Sequence, residues 1–564
     1  MLPIQPKRKK EAQLLIAIAV LYFVMWLIVP KPAFWGLDNG FKFQGARAFA
    51  ETGQLGNTYD GAEFDPKGGF RPIVFPFGIM NGDKQVPVFP VIFMILCGIF
   101  YALFGAVGPH LLPLLGGYFC LAASWFMWVR FRPGTDGRLF LLMLAMGSPL
   151  LFYSMTLWEH SISMAFVILS FTFLIVNPEG ANYERFSKTW EIAIAGLLLG
   201  LATAFRTEAV FWVIIQIVFW KYTGRNINEI KYYFFGLVIG LGTFLFINYL
   251  MTGSFIPLHV TSNFNNHYGS SYLSAFISRA SNLYIITFQG FKTKYISIAL
   301  SIPLLIIALT LNWRKVKKMN YYLAAGVFIT WIIYFSLMIT AGDRASYTIN
   351  SGGLFWVVPF AALSVLPFKS KKQPVSWRIF WAGPLLYFLI MALITPTLRG
   401  VHWGPRFVLQ ALPFIVIFGA VRTNRWWKRY PTTRLVIVLL IAISIVNQLY
   451  SYNILFEQRK TNAALNEWAA AAGSDPALAS MWWLPGDVSL ASDRVPWYIT
   501  GHSSRIPIIV NEFRKKGIPR FTYYEHPPYL TEEFWWSVGA EMKEKDYFLK
   551  GDGRLRRCTF RIIR

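Results

Sequence analysis

Apolar stretches of span-forming character recur along this chain, and the short loops between them alternate between cation-rich and cation-poor. A helix that crosses a bilayer needs roughly 20 mostly apolar residues. Loops on the cytoplasmic side retain Lys and Arg. The candidate spans are 12–29, 110–129, 139–153, 161–176, 192–204, 209–220, 232–251, 295–312, 321–339, 354–367, 379–394, 407–421 and 435–450. The N-terminal Lys7-Arg8-Lys9-Lys10 and the loops at 130–138, 177–191, 221–231, 313–320, 368–378 and 422–434 together hold 25 Lys and Arg. The opposing loops at 154–160, 205–208, 252–294, 340–353 and 395–406 hold seven. This asymmetry predicts about 13 transmembrane helices, with the N-terminus cytoplasmic and the C-terminus outside.

One segment decides that count. Residues 87–104 (PVFPVIFMILCGIFYALF) are apolar enough to span, but if they did, every later loop would change sides and the cations would scatter. The segment therefore reads as a helix at, or dipping into, the outer interface. Pro87, Pro90 and Gly98 agree with that. The stretch after the basic N-terminus is too long for a signal-peptide core and is expected to remain as the first span.

Composition narrows the class. The chain is 55% hydrophobic and only 15% charged over 564 residues, too apolar for a soluble protein of this length. Its net charge of +26 would suggest a nucleic-acid partner if the cations formed one surface. They border apolar runs instead, so no nucleic acid is expected. Cys97, Cys120 and Cys558 are scattered, which gives neither a disulfide framework nor metal-ligand spacing.

Two regions differ from the helical body. The large first outer loop, 31–109, is rich in Gly, Pro and aromatic residues, and Gly40–Glu51 has the pattern of a short surface helix with Phe41, Ala46 and Phe49 inward. The tail, 451–564, carries 16 Lys and Arg with 13 Asp and Glu and has no run long enough to span. Strand-like segments at Asp487–Ala491, Ile506–Val510 and Phe521–Tyr524 alternate with helix-like ones at Asn462–Ala472, Asn511–Lys516 and Thr531–Lys543. The predicted class is an all-α polytopic membrane domain over 1–450, followed by a small extracytoplasmic α/β domain over 451–564.

The candidate chemistry lies in the cation-poor loops. Asp38 follows the first span, and Glu159 lies in the second outer loop. Two carboxylates at one membrane face can accept a proton or bind a cation. The plainer readings are a helix-cap role for Asp38, beside Asn39-Gly40, and an ion pair with Arg206 or His160 for Glu159. Arg206-Thr207-Glu208 occupies an outer turn, where a guanidinium can grip a phosphate in bidentate fashion or pair with Glu159 or Glu208. Arg406 follows His402-Trp403-Gly404-Pro405 at a second helix start, a place that favours anions; it also suits a snorkelling Arg. Arg71 is a weaker candidate, and Asn263, Asn265, Asn266 and His267 read as a solvated loop. No phosphate-binding glycine loop, dinucleotide fingerprint or metalloprotease helix is present.

The order of several motifs resembles the polytopic GT-C glycosyltransferases, which include polyprenyl- or dolichyl-phosphate-sugar-dependent mannosyl- and arabinosyltransferases. Asp38 is followed by Phe43-Gln44-Gly45-Ala46-Arg47-Ala48. Val86-Pro87-Val88-Phe89-Pro90 leads into an apolar helix ending Leu103-Phe104-Gly105. Ser148-Pro149-Leu150-Leu151-Phe152-Tyr153-Ser154 runs on to Glu159, Gly196–Glu208 reads GLLLGLATAFRTE, and Trp403-Gly404-Pro405-Arg406 precedes Leu412-Pro413. The resemblance covers about residues 1–450. It implies a sugar donor on polyprenyl phosphate, an extracytoplasmic acceptor and inversion at the anomeric carbon. It casts Asp38 and Glu159 as the catalytic pair; from the residues themselves, Arg206, Glu208, His160, His402, Arg406 and Arg71 are the candidates toward substrate. No cofactor is certain; a divalent cation is possible in such enzymes, but Asn39 and Glu159 depart from the family's usual acids. The alternative class is a multi-span transporter or flippase, which predicts midplane charges and inverted repeats. Neither is evident in the sequence. Short cytoplasmic loops suggest a bacterial inner membrane.

Overall fold

In the computed structural model the apolar runs become helices, most of which end where the sequence changes character. The structure describes residues 6–132, 134–175, 189–267, 352–365, 377–395, 402–492, 495–550 and 553–563, with a few isolated positions between 279 and 329. The spans expected at 295–312 and 321–339 lie outside the described residues.

Five described helical stretches are long and apolar enough to cross a membrane: Arg8–Ile28, Val91–Phe131, Ile227–Thr252, Arg406–Arg429 and Arg434–Ala470. Four shorter apolar helices accompany them, at His160–Leu174, Thr189–Phe205, Thr207–Val218 and Ile379–Ile394. Large apolar side chains such as Val20, Leu27, Phe235, Val238 and Leu250 point outward from these helices. Water would penalise that surface and a lipid tail would not, so the chain is an integral membrane protein.

Cα-contact clusters divide the chain into two units. The first comprises Met1–Ile28, Pro113–Phe246 and Gly269–Ile454; the second comprises Val29–Leu112, Ile247–Tyr268 and Leu455–Arg564. The helix Arg434–Ala470 runs without a break through residue 450.

In the first unit, helices Thr189–Phe205 and Ile230–Thr252 approach through paired small residues. A Cβ at Gly196 would lie 2.0 Å from the Tyr233 carbonyl oxygen, and one at Gly236 would lie 1.8 Å from that of Ala193. Gly200 and Gly240 repeat the arrangement one turn on, so each helix presents the small-xxx-small face that lets apolar helices pack backbone to backbone. The expected span at 139–153 is broken. Gly147-Ser148-Pro149 separates Arg138–Met146 from Leu150–Met155, because Pro149 removes a helix donor and disfavours helix at the residue before it. The stretch expected at 354–367 likewise forms short pieces at Leu354–Val357, Pro359–Ala361 and Ala362–Val365, with Pro359 at the break.

The second unit holds two sheets. Strands β1 (Asn57–Thr58), β2 (Gly78–Asn81) and β3 (Lys84–Pro87) form an antiparallel sheet in the order β1-β3-β2 within the first loop. Strands β4 (Ala477–Ala479), β5 (Trp497–Ile499), β6 (Arg520–Glu525), β7 (Ala540–Lys550) and β8 (Gly553–Ile562) form a mixed sheet in the order β5-β4-β6-β8-β7. The β4–β5 and β4–β6 pairs are parallel, and the β6–β8 and β7–β8 pairs are antiparallel. First loop and tail share one core. Tyr59 and Phe70 pack with Tyr498, Phe513, Phe521, Trp535 and Phe560, and the Ile499 N–H donates to the Phe70 carbonyl at 2.7 Å. Trp535 is fully buried against Phe560, with ring centroids 4.1 Å apart; truncation to Ala would cost about 3–5 kcal/mol.

Three tail segments differ from expectation. Thr531–Lys543 is helical only over Glu532–Ser537 and enters β7 at Ala540. Ile506–Val510 belongs to the helix Ile506–Lys515, not to a strand. Its buried residues, Ile506, Ile509, Val510 and Phe513, fall at helical spacing, and Pro507 suits a first helical turn. Asp487–Ala491 is a helix end and turn. Phe521–Tyr524 lies in β6, as expected.

The first-loop helix, Leu37–Thr52, is gripped on two sides within this unit. A Cβ on Gly40 would lie 1.7 Å from the Gly486 carbonyl oxygen. Gly98 of the helix Val91–Phe104 brings its backbone so near that a Cβ there would lie 2.6 Å from the Ala46 oxygen. At 14 residues, Val91–Phe104 is shorter than a span by itself and continues through the turn Gly105–His110 into Leu111–Phe131.

Candidate functional site

Two loop acids and one arginine form the centre of the candidate site in the first unit. Glu159 directly precedes the helix His160–Leu174 and is fully buried. Arg206 follows Thr189–Phe205 in extended backbone and opens the 3₁₀ turn Thr207–Ala209. Its Nη1 donates to Glu159 Oε1 at 2.9 Å and its Nε to Glu208 Oε1 at 2.7 Å. Burial works against the guanidinium's charge, but the carboxylates of Glu208 and Glu159 outweigh it and hold the Arg206 pKa above its usual value. Both plain readings of the sequence therefore hold together: one arginine pairs with two acids. A buried pair of this kind is stable only with its full complement of hydrogen bonds.

The second arginine adjoins this cluster. Arg406 begins the helical run Arg406–Ala411, which continues as Leu412–Arg429. Its guanidinium lies 4.8 Å from the Phe407 ring centroid, and that of Arg206 lies 5.7 Å from the same ring. Both also lie within electrostatic range of Tyr153. Two guanidiniums beside one ring at a helix N-terminus form a setting for a polyanion, since the helix end adds partial positive charge.

His160 and His402 flank the cluster through Tyr153. The His160 ring meets Tyr153 edge-on at 4.8 Å, and the Tyr153 hydroxyl donates to the Trp403 carbonyl at 2.9 Å. His402 is buried, with Nδ1 2.7 Å from the Gly404 carbonyl oxygen. Gly404 adopts φ +67°, which favours glycine, and Val357 and Pro149 lie close around it.

A polar relay missed at the sequence level supports Phe407 from behind. The Tyr387 hydroxyl donates to Gln410 Oε1 at 2.9 Å and lies 3.1 Å from the Phe407 carbonyl oxygen. Trp212 Nε1 also donates to Gln410 Oε1, and Gln410 Nε2 donates to Ser163 Oγ. None of these residues is charged and all sit in apolar stretches. The only sequence signal was an amide within an otherwise apolar helix start.

Asp38 and Arg71 belong to the second unit. Asp38 lies in the first turn of Leu37–Thr52 and is half-buried. The N-cap position is Gly36, and Asn39 Oδ1 accepts from the Trp35 N–H ahead of the helix at 3.3 Å. Arg71 donates to the backbone carbonyls of Ile73, Lys67, Gly68 and Gly78, and so ties the first loop together. The backbone of Asn263–His267 ends the helix Leu258–His267.

Among the described residues no group of three or more His, Cys, Asp or Glu is placed to hold a metal ion. Glu159 and Glu208 both engage Arg206, so a divalent cation would have to displace the guanidinium. The arrangement does not fit one.

No family model matches the sequence, and no curated protein matches it. Solved structures do. ArnT from Cupriavidus metallidurans bound to undecaprenyl phosphate aligns at TM-score 0.53 and 10% identity, over 96% of this chain and 97% of that one. The same protein in the apo state aligns at TM-score 0.51 and 12% identity, over 98% of each chain. This chain has the GT-C fold. An apo oligosaccharyltransferase from Archaeoglobus fulgidus aligns at TM-score 0.46 and 9% identity, over 91% of this chain and 69% of that one, too low to bear on the assignment. With the GT-C fold in hand, the motifs around Glu159, Arg206 and Arg406 fall in an architecture that ArnT also uses.

Proposed function

We propose that this chain is a membrane glycosyltransferase that moves a sugar from a polyprenyl-phosphate donor to an extracytoplasmic acceptor, a glycolipid, polysaccharide or protein. The observation that carries the reading is the convergence of Arg206 and Arg406 on Phe407, with Arg206 locked by Glu159 and Glu208. A lipid phosphate is the dianion such a pair suits. ArnT, which shares the fold, was solved with undecaprenyl phosphate bound. The proposal includes the thirteen-span topology with a cytoplasmic N-terminus, and placement in a bacterial inner membrane.

The acceptor hydroxyl oxygen attacks the anomeric carbon as that carbon's bond to the phosphate oxygen breaks. The electron pair leaves with the lipid phosphate and the configuration inverts. Arg206 and Arg406 stabilise the charge that grows on the departing phosphate, the largest single contribution expected of such a site. Asp38 takes the acceptor's proton, a role resting on the family resemblance. Glu159 acts as a positioning residue: it holds Arg206 so that the guanidinium meets the phosphate without first reorganising.

Incubating the purified full chain with polyprenyl-phosphate sugars and an envelope extract tests this. Release of the lipid phosphate with inversion, abolished by Asp38→Asn in folded protein, is expected. No release from any donor overturns the transferase reading, and full activity in Asp38→Asn removes Asp38 from the base role.

A further inference from the structure

A pocket of about 380 Å³ lies wholly within the second unit, between the first-loop helix, strands β1 and β3, and the segment leading into β5. Its size falls in the range of small-ligand sites, roughly 300–1,000 Å³. Its walls are unusual for such a site because polar side chains dominate them, among them Asn57, Thr58, Asp60 and Ser492.

Two buried amides in these walls have half of their hydrogen-bonding capacity open. Gln85 is 7% exposed and accepts the Ile73 N–H with Oε1; its NH2 has no acceptor among the described residues. Gln44 is 4% exposed and donates Nε2 to Ser492 Oγ and the Pro485 carbonyl; its Oε1 has no donor among them. A third wall residue, Trp497, is 4% exposed and its indole N–H finds no acceptor among the described residues. Buried polar groups are normally satisfied, so a donor and an acceptor left open at one pocket point to a ligand that supplies both. A hydroxyl does so with a single group.

Charge narrows the ligand class. Arg47 and Asp60 are the pocket's ionisable cation and carboxylate, and Arg47 already pairs with Glu51 at 2.8 Å. Among the described residues the walls carry no surplus cation for a phosphate, and their polarity is wrong for an acyl chain.

We propose that this pocket binds a neutral sugar ring, the carbohydrate portion of the acceptor, through Gln44, Gln85 and Asp60. As an acceptor subsite it rests on the transferase reading; as a sugar site it does not. Both amides are clamped by their backbone contacts, so the ring meets a rigid wall and loses little affinity to side-chain ordering.

Saturation-transfer NMR on the full chain in nanodiscs, with a panel of neutral mono- and disaccharides and with inorganic phosphate as comparator, tests it. At least one sugar is expected to bind, and phosphate is not. Gln85→Glu keeps the acceptor for Ile73 while removing the open donor, and Asp60→Asn alters an exposed wall residue without changing its shape. Each should weaken sugar binding about tenfold. Absence of binding by every sugar, unchanged binding in both variants, or preference for phosphate overturns the proposal. Transfer without sugar binding sinks the pocket and leaves the transferase reading standing. Sugar binding without transfer sinks the transferase reading and leaves the pocket standing.

Discussion

The two ends of the helix His160–Leu174, roughly 20 Å apart, carry mirror-image charge clusters. At its start one arginine, Arg206, joins two acids, Glu159 and Glu208. At its end one acid, Glu191, joins two arginines, Arg130 and Arg225. Each sign suits the helix dipole, with an acid at the N-terminus and cations at the C-terminus. The difference lies in what else the arginines hold. Arg225 also donates to the carbonyls of Phe173 and Leu174 and so caps the helix. Among the described residues Arg206 donates to the carboxylates of Glu159 and Glu208, and it faces the ring that Arg406 also faces. A cation committed to backbone is a fastener. A cation positioned by carboxylates beside a second cation is equipped to meet an anion.

Breaking the mirror at the Arg206 end should have the largest effect. Arg206→Ala removes the guanidinium that pairs with the buried Glu159, a loss of about 3–5 kcal/mol, and should lower transfer by about 100-fold or more in whatever protein still folds. Arg206→Lys keeps the charge but cannot bridge both acids; it should restore most of the stability, read by thermal unfolding, and little of the transfer.

The opposite end should separate the two readouts. Arg225→Ala should cost about 3 kcal/mol of stability while kcat of the folded fraction stays at the wild-type value. A matching loss of kcat would mean that the two clusters are not distinct in role.

Gly40→Ala probes the second unit. The added methyl would collide with the Gly486 carbonyl and should cost about 1–3 kcal/mol by overpacking. Displacement of the helix that carries Asp38 should lower kcat more than KM.

The smallest effect concerns pH. Burial and the nearby Arg459 hold the Lys31 pKa down to about 8, from 10.5. Between those values the unfolded chain binds the extra proton, so stability should rise as pH increases from about 8 to 10.5 and be flat below 8. Lys31→Met should abolish this slope in thermal unfolding curves taken across that range.

How much of this the sequence revealed depends on the signal each element carries. Asp38's helix was legible because Gly36 and Gly53 punctuate an amphipathic run. The pairing of Arg206 with Glu159 and Glu208 was legible because charges are rare in apolar surroundings and must find each other. The break at Gly147-Ser148-Pro149 was hidden within apolar residues that favour a span on average. Ile506–Val510 was misread because four apolar residues in a short run fit a strand or a helix equally. The β7–β8 hairpin was missed because Lys and Glu fill its exposed face. Tyr387, Gln410 and Trp212 carry no charge to betray them, and only the fold brings them behind Phe407.

The proposed function depends above all on Arg206 and Arg406 together holding the phosphate of the lipid donor. Its most direct test is the affinity of the full chain in nanodiscs for a polyprenyl phosphate, compared among wild type, Arg206→Lys and Arg406→Gln. Saturable binding by wild type and a loss of about tenfold or more in each variant are expected. Wild-type affinity in both variants would contradict it.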